Sequence, residues 1–191
     1  SGKLNGILVL FNRTPLPESK KFNDIVDLLA GQAAIAIEHA NTLEGLRRST
    51  QYLKFAFDET IEVWARALSL RDEETSGHSR RVTENVLKLA DIYGISNEEM
   101  LNIKWGALLH DIGKMGISDH ILFKKGSLSP QEREEMQKHP SLAKDMMLPI
   151  RHLRGAIDIP AYHHEKWDGS GYPAGLKEEQ IPITARLVAI D

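Results

Sequence analysis

The stretch Leu108-Leu109-His110-Asp111-Ile112-Gly113-Lys114 places an adjacent histidine and aspartate directly after an apolar run. About fifty residues further on, a second stretch reads His163-His164-Glu165-Lys166-Trp167-Asp168-Gly169-Ser170-Gly171-Tyr172-Pro173. Adjacent His-Asp and His-His pairs are unfavourable in a packed core, because each imidazole needs partners for its polar nitrogens. Neutral imidazole and carboxylate are common ligands of divalent metal ions. The two stretches therefore indicate a metal site.

The sequence around these stretches has the apolar period of helices. One stripe is stopped by Gly94, and it consists of Val82, Val86, Leu89, Ala90 and Tyr93. Ser96-Asn97-Glu98-Glu99 predicts a capping box that opens the helix leading into His110. A second capping box is predicted at Ser129-Pro130-Gln131-Glu132, with its helix ending near His139-Pro140.

The remaining part of this region is predicted to contain one more helix and a long loop. The helix covers about residues 150–164, and the Gly- and Pro-rich stretch 168–182 forms the loop. The second part of the chain is therefore predicted to be all-α.

The N-terminal part has a different pattern. Gly6–Phe11 is a short apolar run that predicts a buried strand, and Pro15 and Pro17 end it. A helical period begins at about Asn23, which is a plausible N-cap. This strand and helix resemble the last strand and C-terminal helix of a GAF sensory domain; the alternative is a strand and helix of any other α/β domain.

The sequence favours one long helix after this point. Proline is absent between Pro17 and Pro130, and glycine is absent between Gly45 and Gly77. A seam with steps of three and four residues follows, typical of a coiled coil, and it consists of Leu43, Leu46, Thr50, Leu53, Phe57, Thr60 and Trp64. Past Phe57 we expect Ile61, Trp64 and Leu68 to pack in a core. Before it, a dimerising helix and an amphipathic helix packed on its own domain are both open.

Composition limits the possible functions. The chain has 191 residues, 27% of them charged, and a net charge of −3 without a long basic run, which disfavours binding to a nucleic-acid polymer. It has no cysteine, so disulfides and thiolate metal ligands are excluded. No apolar run approaches the roughly 18–20 residues that span a bilayer, and no signal peptide is visible. Because the chain ends on an apolar run, we interpret it as a piece of a longer protein.

Several side chains are candidate metal ligands, and each has an alternative role. Glu74 and His78 are four residues apart and would share a helix face, although alone they suit a solvated acid and a core histidine. His110 and Asp111 suit two ions more easily than one, because the carboxylate can bridge them. His139 alone suits a helix-end cap. Surface or cap roles are expected for His39, His120 and His152.

The segment 59–191 resembles an HD-GYP domain, a branch of the HD metal-dependent phosphohydrolases. The matching motifs are Arg71-Asp72, Thr75-Ser76-Gly77-His78-Ser79, His110-Asp111-Ile112-Gly113-Lys114, His139-Pro140, His163-His164-Glu165, Gly171-Tyr172-Pro173 and Ile181-Pro182. We therefore expect a mainly α fold with an HD-type helical bundle over residues 59–191. A helical linker (47–58) and the C-terminal part of a GAF-like α/β domain (1–46) would precede it.

The resemblance implies a cytoplasmic phosphodiesterase that hydrolyses cyclic di-GMP, a bacterial second messenger, to pGpG or GMP. It implies two or three divalent ions, iron or manganese, held by His78, His110, Asp111, His139, His163 and His164. Glu74 resembles the extra ligand of the subgroup with three metals. Lys114 would contact the substrate phosphate or leaving group, or alternatively lie on the surface. Gly171, Tyr172 and Pro173 would shape the guanine-nucleotide side.

Three points remain open at this stage. The family has a further aspartate ligand at the position after Asp191, so either Asp191 precedes the true ligand, which we favour, or one residue has been lost. The fragment is therefore expected to bind metal poorly and to turn over little. In the expected mechanism, two ions about 3.5–4 Å apart bridge a hydroxide that attacks phosphorus, while Asp111 and Lys114 serve catalysis. The alternatives are a non-catalytic module that binds cyclic di-GMP or a partner protein, and a general nucleotide phosphohydrolase.

Overall fold

The computed structural model of the chain describes residues 6–11, 13, 15–16, 19–71 and 77–189. Within these ranges the regular structure is helical, which confirms the predicted mainly α fold. The α-helices are α1 Lys20–Arg71, α2 His78–Ile92, α3 Asn97–Leu108, α4 Asp119–Leu122, α5 Pro130–Met136, α6 His139–Met147, α7 Asp158–Tyr162 and α8 Ile183–Val188. Short 3₁₀ helices cover Ile112–Gly116, Arg151–Ala156 and Glu178–Gln180.

The chain divides into two compact units, Ser1–Ala56 and Phe57–Asp191. Helix α1 is continuous over 52 residues and contributes to both, and its course past Gly45 confirms the long helix predicted there. It begins at Lys20 instead of Asn23, because the Ser19 hydroxyl accepts a hydrogen bond from the Phe22 N–H at 3.2 Å. The expected N-cap at Asn23 is therefore wrong.

The strand predicted for Gly6–Phe11 is not formed. These residues have no regular secondary structure, and Ile7 and Phe11 are 81% and 93% exposed. A strand is stable only when a neighbouring strand satisfies its backbone N–H and C=O groups. The described residues supply no such neighbour, so the apolar pattern alone does not produce a strand.

The second unit is built around two clusters of buried side chains. The first joins the end of α1 to α3, α6 and the residues leading into α7, and it includes Ile61, Ala65, Trp105, Leu108, Leu109, Met147 and Leu153. The second joins α2 to α3, α7 and α8, and it includes Val82, Val86, Ala90, Ile103, Ile159 and Leu187. Ile61 and Leu68 are buried as expected, whereas Trp64 is 44% exposed and is not part of the core.

Polar contacts fix α3 against the end of α1. Asp58 accepts hydrogen bonds from Lys104 Nζ at 2.6 Å and from Trp105 Nε1 at 2.9 Å. The Phe57 ring meets Trp105 edge to face at 4.9 Å between centroids. Since α3 ends at Leu108, these contacts fix the helix that leads directly into His110 and Asp111.

Both predicted helix starts have a serine cap, but only the second is a full capping box, because the Glu99 side chain accepts from the Ser96 hydroxyl and not from its backbone N–H. Ser96 accepts from the Glu99 N–H at 3.3 Å, and Ser129 and Glu132 form a capping box with Pro130 in the first turn. The helix that follows ends earlier than predicted, at Met136.

His139 lies at the start of α6, so the predicted helix end at His139-Pro140 is wrong. Proline is accommodated there because the first N–H groups of a helix have no intrahelical partner. The helix predicted over residues 150–164 is divided into a 3₁₀ turn and α7. Across the ranges that the structure describes, no helix combines the length and apolar character needed to span a bilayer.

Candidate metal centre

Three short segments bring the predicted ligands together. His110 and Asp111 lie between α3 and the 3₁₀ helix Ile112–Gly116, His139 is in the first turn of α6, and His163 and His164 follow α7 directly. Gly113 permits this arrangement. A Cβ at Gly113 would collide with the His139 carbonyl oxygen and would lie 2.7 Å from the Ala143 nitrogen, so only glycine lets α6 approach this closely.

The ligand atoms converge on the Asp111 carboxylate. Its Oδ1 lies 3.3 Å from His139 Nε2 and 3.7 Å from His163 Nε2, and these two nitrogens are 3.4 Å apart. With His164 included, each of the four residues offers a ligand atom within 4.8 Å of the others. This separation is suited to atoms that coordinate a common cation.

The second ring nitrogen of three histidines faces a backbone carbonyl. His110 Nδ1 lies 2.7 Å from Ala107 O, and His139 Nδ1 lies 2.9 Å from Met136 O. His163 Nδ1 lies 3.1 Å from Pro160 O. A carbonyl accepts only, so each Nδ1 carries a proton, and in a neutral ring the Nε2 lone pair is the one that faces the centre. The Nε2 atoms of His139 and His163 lie 3.4 Å apart, and a cation between them would be coordinated by both neutral rings.

The electrostatics of the centre favour the metal-binding protonation states. Burial lowers the pKa of His139 to about 4, and burial together with the neighbouring histidines lowers that of His164 to about 3, so both rings are neutral at pH 7. Burial by itself raises the pKa of Asp111. The interactions with His110, His163 and Lys114 outweigh burial and hold that pKa well below its usual range, so the carboxylate is ionised.

His110, Lys114 and His78 surround this group. His110 Nε2 and Lys114 Nζ lie 3.1 and 2.8 Å from Asp111 Oδ2. The His78 ring is farther out, with its centroid 6.0 Å from that of His110. All three line a cavity of about 370 Å³ that opens onto the centre. Glu74 and Asp191 lie outside the described residues.

The Gly-Tyr-Pro loop lies against the centre. The Tyr172 ring stacks on the His164 ring at 4.6 Å between centroids and an interplanar angle of 23°. A Cβ at Gly171 would lie 2.5 Å from both Glu165 Cα and His164 O, so glycine is required for this approach. Pro173 follows at the exposed end of the loop. The structure thus places the loop beside the metal ligands, whereas its contact with a nucleotide stays a prediction.

Glu165 is a residue whose role the sequence did not predict. It is 2% exposed, and its carboxylate accepts hydrogen bonds from the N–H groups of Ala174 at 2.7 Å and Leu176 at 2.9 Å. These bonds close the loop over the centre. A charged residue between two histidines and a glycine-rich loop is a recognisable pattern, but sequence spacing does not reveal which backbone groups it accepts.

Glu165→Gln is expected to destabilise the protein by about 2 kcal/mol, because the amide cannot accept both backbone hydrogen bonds and a charge-assisted bond is lost. Urea unfolding followed by circular dichroism measures the change. Glu179→Gln is the matched control, since Glu179 is exposed on the same loop. Equal stability of the two variants would contradict the role of Glu165.

A comparison with known protein families shows to which family the segment with these residues belongs. The family model described as "HD domain" matches residues 62–191. The chain belongs to the HD domain family. The matched segment contains all of the described ligand candidates, so the candidate metal centre lies within the HD domain.

The HD domain is also similar to curated proteins. A cyclic di-GMP phosphodiesterase of Thermotoga maritima is 43% identical over 145 residues, which cover 74% of the chain and 39% of that protein. A 3′3′-cGAMP-specific phosphodiesterase of Vibrio cholerae is 36% identical over 168 residues, covering 87% of the chain and 31% of that protein. A cyclic di-GMP phosphodiesterase response regulator of Xanthomonas campestris pv. campestris is 39% identical over 134 residues, which cover 69% of the chain and 35% of that protein. The chain thus spans less than two fifths of the length of these relatives.

Proposed function

We propose that the chain is a metal-dependent phosphodiesterase of the HD-GYP branch that hydrolyses cyclic di-GMP to pGpG or GMP. The observation that carries this proposal is the convergence of His139, His163 and Asp111, with each histidine Nδ1 committed to a backbone carbonyl and each Nε2 within 3.7 Å of the carboxylate. The relatives named as cyclic di-GMP phosphodiesterases support the substrate.

In this proposal some residues of the chain bind the metal ions, and others stabilise the charge of the substrate phosphate. His78, His110, Asp111, His139, His163 and His164 would hold two divalent ions. When bound, such ions supply a hydroxide nucleophile at neutral pH and offset the charge of the phosphoryl oxygens. Lys114 lines the same cavity and carries a positive charge to its wall. Tyr172 stacks on His164 and would hold that ring in place beside the cavity.

The test is an assay of the anaerobically prepared protein with manganese or ferrous iron. Cyclic di-GMP, 3′3′-cGAMP, bis(p-nitrophenyl) phosphate and deoxynucleoside triphosphates are supplied in parallel. We expect metal-dependent cleavage with cyclic di-GMP as the preferred substrate. Binding of cyclic di-GMP without cleavage would instead support the non-catalytic module, and preference for the triphosphates would support a general nucleotide phosphohydrolase. Preference for 3′3′-cGAMP would instead indicate the specificity named for the Vibrio cholerae relative that is 36% identical.

Lys114→Met is expected to lower the turnover of cyclic di-GMP by about 100-fold, because one positive group that stabilises the phosphoryl oxygens is removed. The bound metal should stay near the wild-type level, since Lys114 is not a ligand. Metal analysis and initial rates are measured on the same samples. Near-normal turnover combined with loss of metal would contradict this role.

We further propose a third ion, for which Glu74 is the additional oxygen ligand. This proposal rests on the sequence motif alone. Iron and manganese are both expected to bind, because N and O ligands discriminate weakly between them. Metal analysis of Glu74→Ala should show one ion fewer per chain than the wild type. Two ions in both proteins would contradict the third site.

We propose that residues 1–46 are the C-terminal part of a GAF-like sensory domain and that residues 47–58 link it to the catalytic domain in the cytoplasm. The exposed seam residues Leu43, Leu46 and Leu53 of α1 support a homodimer formed through this helix. Analytical ultracentrifugation at tens of micromolar protein is expected to show the dimer. A monomer at all accessible concentrations would contradict it.

A further inference from the structure

A second cavity of about 530 Å³ lies beside the candidate metal centre. Its wall combines a flat apolar surface with positive charge, and it includes Tyr93, Lys166, Trp167, Ile183, Arg186 and Leu187. Its volume is within the range of about 300–1,000 Å³ that is typical of small-molecule sites. None of these six residues is among the candidate metal ligands.

The two cavities are adjacent. Glu165, Lys166 and Ala189 line both of them. Because the Glu165 carboxylate already accepts two backbone hydrogen bonds, it fixes the shared wall and is not free to bind a ligand. Lys166 is exposed, so its positive charge lies at the junction between the metal centre and the second cavity.

Trp167 and Arg186 give the second cavity its chemical character. The Trp167 side chain is 57% exposed, and the Arg186 guanidinium carbon lies 5.8 Å from the centroid of its ring. Arg186 Nε is buried and has no hydrogen-bond partner within the described residues. Because this nitrogen is closed to solvent, a ligand in the cavity would meet the aromatic plane of Trp167 and the positive charge of the Arg186 guanidinium instead.

We propose that this cavity binds the second purine nucleotide of a cyclic dinucleotide while the scissile phosphodiester lies at the metal centre. The inference rests on the proposed phosphodiesterase function and adds a site for the half of the substrate that is not cleaved. The base would stack on Trp167, an acceptor on the nucleotide would pair with Arg186, and the second phosphate would lie near Lys166. A substrate with two linked nucleotides fills both cavities, whereas a simple phosphodiester fills only the first.

Trp167→Ala in the metal-loaded protein tests the subsite. The ratio of kcat/KM for cyclic di-GMP to that for bis(p-nitrophenyl) phosphate is expected to fall roughly 5- to 150-fold, the range for loss of one base–aromatic stack. Most of the change should appear in KM. Trp167→Phe keeps an aromatic face and should restore most of the ratio. Ile92→Ala is the control, because Ile92 is exposed on α2 and lines neither cavity.

A second variant keeps the test independent of any folding defect in Trp167→Ala. Ile183→Trp places a bulky side chain at the rim of the cavity and should lower the same ratio by blocking the base. An unchanged ratio in both Trp167→Ala and Ile183→Trp would overturn the inference. A parallel loss of both activities in Trp167→Ala, without rescue by Phe, would also overturn it, since Trp167 would then only support the loop.

Calorimetric binding of cyclic di-GMP separates this inference from the proposed function. If the wild type binds but does not cleave, and Trp167→Ala still binds more weakly, the subsite stands and the proposed activity fails. Titration with GMP distinguishes a substrate subsite from an independent nucleotide site. Competitive inhibition by GMP supports the subsite, whereas GMP that binds through Trp167 without competing would overturn it.

Discussion

Asp111→Asn should abolish metal binding and reduce kcat/KM for cyclic di-GMP by roughly 10³-fold or more, because several kcal/mol of transition-state stabilisation depend on the bound ions. The carboxylate is the point on which His139 and His163 converge, and it also lies within 3.1 Å of His110. Asparagine preserves the shape of the side chain but removes its charge, so the histidines lose the anion that balances a divalent cation. Metal analysis and initial rates measure the effect.

Asp119→Asn is the matched control for this substitution. Asp119 is an exposed aspartate on α4 that pairs with Arg71 at 2.7 Å and lines neither cavity. The Asp119→Asn variant should retain the metal content and turnover of the wild type. Retention of two or more ions by Asp111→Asn would contradict the assignment of Asp111 as the shared ligand.

Gly113→Ala is expected to destabilise the metal-free protein by roughly 3 kcal/mol and to lower its metal affinity at the same time. The added methyl group would collide with the His139 carbonyl, and the Ala143 nitrogen is only 2.7 Å away. Both contacts are with backbone, which cannot rotate away as a side chain can. Relief of the collision must therefore move α6 and the His139 ring. Thermal unfolding and metal titration measure the two effects.

Gly116→Ala offers a close control within the same 3₁₀ helix. A Cβ there would meet only the end of the Leu142 side chain, 2.9 Å away, and that side chain can change its rotamer. The variant should lose much less stability and keep its metal affinity. Equal losses in the two variants would show that the close approach at Gly113 does not position His139.

The sequence predicted which residues lie together better than it predicted the geometry of the cluster. Residue type and adjacency indicated His110 and Asp111, since few other roles suit such residues together, whereas His139 was included because of the resemblance to HD-GYP domains. The carbonyl partners of the Nδ1 atoms depend on how α3, α6 and α7 end, and helix ends are the least predictable part of a helix. The neutral state of His139 and His164 follows from burial, which no single-residue pattern reveals.

The fold, too, has one feature that the sequence predicted and others that it did not. The continuation of α1 past Gly45 followed from the absence of proline and of a further glycine before Gly77, because a helix continues where nothing breaks it. The strand predicted for Gly6–Phe11 was wrong, because a strand depends on pairing with a second segment that the apolar pattern does not contain. Glu165 was missed for a related reason, since its partners Ala174 and Leu176 become neighbours only after the loop closes.

Cyclic di-GMP hydrolysis by one protein sample, measured as isolated, after removal of metal by a chelator and after return of manganese, tests the metal centre most directly. The account predicts that the initial rate falls at least about 100-fold on metal removal and recovers on reconstitution, because the ions supply the nucleophile. A metal-free sample that keeps its full rate would contradict it.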